Sequence, residues 1–207
     1  MAVIINGDTG IDTIQDGSVT TADLASTLDL SGKTMTYGNL PAANLTGSLP
    51  AGMGGKILQV VQDTKTDTFS TSSTSFVDVT GLSVSITPSS TSSKILVMVS
   101  LSLGTDLSSH VPVKLMRDST AIAIGDSAGS RNRATFHLSA YNNYTIDSYN
   151  MTWLDSPATT SATTYKVQTG VPWSSSYIVY INRSSSDNDA AYQSRVVSTI
   201  TAIEVGA

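Results

Sequence analysis

From Lys56 onward the chain is a succession of short β-rich runs separated by Gly, Ser, Asn, Asp and Pro, and this spacing constrains the fold more than any other feature. The runs are Ile57 to Val61, Phe76 to Val79, Val84 to Thr87, Ile95 to Leu103, Pro112 to Arg117, Ala121 to Ile124, Arg133 to Ser139, Tyr149 to Leu154, Tyr165 to Thr169, Tyr177 to Asn182 and Val196 to Val205. About ten strands with no convincing helix predict a mainly β protein, an antiparallel sandwich or barrel. Ser and Thr, roughly 30 % of the residues, reinforce this, because they cost helices more than sheets. Within Arg133 to Ser139, Ala134, Phe136 and Leu138 form an apolar face opposite Arg133, Thr135, His137 and Ser139. In Ile95 to Leu103 the odd positions are wholly apolar, while the even ones pass from Leu96 and Met98 to Ser100 and Ser102. That strand is expected to be buried on both faces at its start and to meet solvent or a polar contact at its end. Val196 to Val205 is apolar on both faces, which predicts a central strand.

Three regions separate by composition. Residues 1–33 are polar and turn-rich, with one helical segment in which Thr20 and Asp23 stand at capping-box spacing and Leu24 and Leu28 stack. Residues 34–55 contain no charged residue and repeat Leu40-Pro41-Ala42 as Leu49-Pro50-Ala51 around Asn44-Leu45-Thr46-Gly47. This stretch is either a flexible linker or an extended shaft whose leucines are buried by other copies of itself. Residues 56–207 form the β-rich head.

Net charge is −5, and no basic cluster occurs, so no nucleic-acid partner is expected. Cysteine is absent, which removes disulfides and thiolate metal sites. The start of the chain has no basic, apolar signal pattern and no run approaches the length of a membrane span, so a soluble protein without membrane insertion is expected.

Chemistry-bearing motifs are few. Gly125-Asp126-Ser127-Ala128-Gly129 fits the GxSxG pattern, with His110 and Asp118 upstream, but no helix pattern follows it, and a surface loop is expected. Asp187-Asn188-Asp189 lacks the glycine and glutamate of a calcium loop and is read as a self-solvating turn, with a weak surface cation site as the alternative. No catalytic residue, metal or cofactor is expected. Tyr149 and Trp153 are assigned to the core. Tyr141, Asn143, Tyr144 and Trp173 combine aromatic faces with amides, the residue types that cover sugar rings and take their hydroxyls, so they are candidates for a glycan or partner contact as well as for packing.

The opening MAVIINGDTGIDTIQDGSVTTADLAS, the NLTGSLPA unit, the SITPSSTSSKILVMVSLSLG segment and the closing STITAIEVGA, in this order, resemble small tail-fibre and capsid-fibre (appendage) proteins of tailed bacteriophages of marine bacteria and cyanobacteria. The resemblance implies a homotrimeric virion protein. Its N-terminus would dock on capsid or tail proteins through Ile4, Ile5, Leu24 and Leu28, with a short trimeric shaft through Leu40, Leu45 and Leu49. A C-terminal jelly-roll-like knob, similar to tumour-necrosis-factor-like heads, would be exposed for contacts with other virion proteins or host surface polysaccharide. Long fibres carry many shaft units; only one or two are present here. The alternatives from other classes are a glycan-degrading tailspike-like enzyme and a stand-alone lectin-like binding module.

Overall fold

The computed structural model describes residues 56–106, 110–139 and 142–206. Eleven strands are arranged in two antiparallel sheets: β1 (Ile57–Lys65), β2 (Phe69–Thr71), β3 (Val77–Ile86), β4 (Lys94–Thr105), β5 (His110–Arg117), β6 (Thr120–Ile122), β7 (Phe136–Ser139), β8 (Asp147–Asp155), β9 (Thr163–Thr169), β10 (Val179–Ile181) and β11 (Ser198–Val205). The first sheet runs β1–β11–β4–β8, with β2 and β10 continuing the rows of β1 and β11. The second runs β3–β9–β5, with β6 and β7 sharing the outer edge of β5. Successive long strands alternate between the sheets, the connectivity of a jelly-roll sandwich.

The inward-facing residues follow the period-2 pattern. Ile95, Val97, Val99, Leu101 and Leu103 of β4 meet Val111, Val113 and Leu115 of β5, Tyr165 and Val167 of β9 and Leu82, Val84 and Ile86 of β3 in one buried cluster. β11 lies between β1 and β4, as its two apolar faces predict. The runs Phe76 to Val79 and Val84 to Thr87 are one strand. A bulge between Asp78 and Ser83, with Gly81 at φ +76°, changes the parity so that Val79 and Leu82 both point inward.

Other expectations are corrected as well. β4 is the reverse of its forecast: Met98 is 44 % exposed, whereas Ser102 is buried, donating to the Val197 carbonyl through its hydroxyl while its backbone N–H donates to Ser198 Oγ. Trp153 is 41 % exposed because it lies on the edge strand β8, while Tyr149 on the same face packs against the core and stacks with Phe136. Residues 133–135 precede β7 without joining it, and the three-residue β2 has no counterpart among the sequence runs.

Polar groups fasten the sandwich. Asn182, fully buried at φ 64°, donates from Nδ2 to the carbonyls of Lys65 and Asp67, accepts from Ser198 Oγ through Oδ1, and donates its N–H to Ser102 O. At one end of the first sheet, Glu204 and Asp155 flank Ile95 in a single inward-facing row. Asp155 accepts both from Arg117 of β5 and from the Tyr165 hydroxyl of β9, tying the two sheets together. Burial, then that bond to Asp155, raises the Tyr165 hydroxyl far above its ordinary value. Glu204 accepts from the Ser89 N–H and hydroxyl and from Gln59 Nε2. Burial opposes its charge, but the Ser89 and Gln59 bonds prevail and hold it down to about 2; Ser93 Oγ faces the carboxylate without completing a hydrogen bond.

Asn182→Ala removes three side-chain bonds and places an alanine in the left-handed region, so it is expected to lower stability by about 3 kcal/mol; denaturant melts of Asn182→Gly would isolate the hydrogen-bond part. Glu204 is held below its ordinary 4.5 and therefore stabilises the fold above that pH, losing the contribution as pH falls toward 2. Glu204→Gln should destabilise by about 3 kcal/mol at pH 7 and by little at pH 2, as read from urea midpoints.

Candidate binding surfaces

The outer face of the second sheet carries a cleft of about 290 Å³ lined by His110, Pro112, Arg131, Asn132, His137 and Trp173. Strand pairing builds it. Pro112 of β5 faces His137 of β7, and His110, two residues earlier, projects from the same face, so the imidazoles stack at 5.5 Å with 29° between their planes. Trp173 comes from the loop after β9. Its indole Nε1 donates to the His110 carbonyl at 2.8 Å, and its ring lies 5.9 Å from His110 and 4.3 Å from Tyr177. This leaves Trp173 44 % exposed yet fixed in orientation. Arg131 and Asn132 belong to the loop joining β6 to β7, which is closed by Gly125 N–H on Ala134 O and by Arg133 Nε on Gly125 O. Burial, followed by the neighbouring His110, pushes the His137 imidazole below its ordinary value.

This loop is also where the GxSxG motif lies, exposed and without a helix. His110 opens β5 and Asp118 follows its other end, which places them about 25 Å apart, too far for a relay to one serine.

The aromatic candidates have separate neighbours. Trp173 joins the histidine cleft. Tyr144 is exposed and meets Tyr192 edge-on at 6.3 Å, while Asn143 accepts the Ser186 N–H through its carbonyl, so both, coming from the β7–β8 connection, contact the segment between β10 and β11. Tyr141 lies outside the described residues, as do Leu40, Leu45, Leu49, Ile4, Ile5, Leu24 and Leu28. In the 187–189 turn one oxygen of the Asp187 carboxylate, Oδ2, is engaged by both Arg195 at 2.6 Å and Arg183 at 3.3 Å, which sets two positive charges at the place a cation would occupy. The two histidines were visible in the sequence, but nothing local signalled that they meet; only the register of β5 against β7 does.

A second surface covers the outer face of the first sheet. Val60, Ile203, Leu96 and Leu154 are directly opposite one another across β1, β11, β4 and β8, forming an unbroken apolar row, with Met98 beside it. Val60 and Leu154 are 56 % and 50 % exposed, as are Ile57 at 63 % and Leu58 at 50 % where β1 begins.

No protein-family model and no curated protein matches the chain.

Replacing His110 with Asn removes the neighbouring charge and should move the His137 titration upward, toward 6.5, in a proton NMR titration of the imidazole Cε1–H. An unmoved His137 would mean that the stacking does not couple the two rings.

Proposed function

We propose that this chain is a structural fibre or appendage protein of a tailed-phage virion, a homotrimer located on the capsid or tail, with the jelly-roll head as its exposed knob. The reading rests on the resemblance of the ordered sequence segments to such proteins and, above all, on the apolar row Val60, Ile203, Leu96 and Leu154. Contiguous exposed apolar surface of this kind is a mark of an interaction site. Here it lies outside while the adjacent inward row holds the carboxylates of Glu204 and Asp155, so these apolar side chains stand apart from the core that the described residues form. The row begins on β1, and the proposed shaft is built from three copies of Leu40, Leu45 and Leu49. Residues 1–33 would anchor the assembly to capsid or tail proteins. No catalytic role is assigned.

Solution mass decides the matter. Three copies of a 21.6 kDa chain give about 65 kDa, and this species is expected at micromolar concentration. A 22 kDa monomer would overturn the assembly. Leu154→Lys should shift the mass toward monomer at the same concentration, since it places a charge in each copy of the row.

A further inference from the structure

We infer that the His110–His137–Trp173 cleft binds an acidic sugar residue, with Trp173 under the pyranose ring and Arg131 on its carboxylate or sulfate. This deepens the proposed role of the head in host-surface contact and rests on that reading.

The charge distribution favours an anion. Among the described residues, Lys56, Lys94, Lys114, Arg131 and Arg133 form no ion pair. Three of these five cluster around this one face of a protein whose net charge is −5. Lys114 projects from β5 on the same face as His110 and Pro112, with its ammonium 3.6 Å above the Phe76 ring, and its charge is close enough to Arg133 to feel it. The acids nearby form no ion pair with these three cations: Asp78 is committed to Lys166 at 2.7 Å and to Gln168, and Asp126, in the same loop as Arg131 and Arg133, pairs with neither. Among the described residues no carboxylate lines the cleft itself.

The shape favours a sugar over a free ion. A tryptophan held by Nε1–H on the His110 carbonyl and backed by Tyr177 is a rigid platform for the C–H face of a pyranose. Asn132 supplies a donor and an acceptor for hydroxyls, and Arg131, whose guanidinium reaches only the Ala128 carbonyl at 3.3 Å, has donors left for a bidentate bond to an anion. A volume near 290 Å³ accommodates one or two sugar rings rather than a long chain.

The test uses the full chain and three defined probes: polygalacturonate, dextran sulfate and unmodified dextran, followed by titration calorimetry and by NMR of the two histidine Cε1–H signals. At least one acidic polymer should bind at least tenfold more tightly than dextran and shift both histidine signals. Arg131→Ala should lose about tenfold for the acidic probe, and Trp173→Phe should lose affinity while still melting in a single cooperative transition. Equal affinity for dextran would overturn the acidic class while leaving a glycan-binding head. Acidic binding that survives Arg131→Ala and leaves both histidine signals in place would overturn the site. No binding to any probe at millimolar sugar concentration would overturn the inference outright, whereas the fibre reading would still stand or fall on the 65 kDa species.

Discussion

The Asn182 side chain holds together the place where two neighbouring strand rows break at once. β1 gives way to β2 after Lys65, and β10 gives way to β11 through residues 182–197, so four backbone segments would otherwise end in a dry interior with unpaired groups. One amide answers this: its nitrogen takes the Lys65 and Asp67 carbonyls, its oxygen takes Ser198, and Ser198 in turn accepts the Ser102 N–H. Asparagine suits the position because it tolerates the left-handed backbone and carries both donor and acceptor on a short stem. Glycine at 104 completes the junction, since a Cβ there would stand 2.5 Å from the Arg183 carbonyl.

The other end of the sandwich is closed by a different device. Glu204 and Asp155 point between the sheets and are satisfied from the opposite side, by Ser89 of the β3–β4 connection and by Arg117 and Tyr165. Polar contacts therefore fix the register of β11 here, because hydrophobicity alone would favour the opposite choice: Ile203 and Val205 flank Glu204, and a one-residue slip would bury them.

That inversion explains which parts of the molecule were legible in the sequence. The strands, their turns and the central place of β11 follow from alternation and residue type, which are local. The reversal of β4 was not legible, because Ser102 is covered by residues some 95 positions away, while Leu96 and Met98 stand on the outer face of the sheet between β11 and β8. β3 was read as two strands because a bulge at Gly81 mimics a turn. Trp173 was identifiable as a binding candidate from its residue type, but its partners His110 and His137 come from β5 and β7, which pair across the long connection from Arg117 to Phe136, and Tyr144 turned out to belong with Tyr192 instead.

The apolar row and the histidine cleft lie on the outer faces of different sheets, hence on opposite sides of the sandwich. An assembly that covers the first leaves the second open, once per subunit. Contacts too weak to hold one subunit then act together, because after the first engagement the remaining clefts meet a surface at an effective concentration set by geometry, and avidity can exceed single-site affinity by about 10²–10⁴. In the proposed assembly, attachment of this kind would be strong toward a dense, repetitive coat and negligible toward a dilute soluble sugar, so that the surface density of the ligand would become the quantity that is sensed.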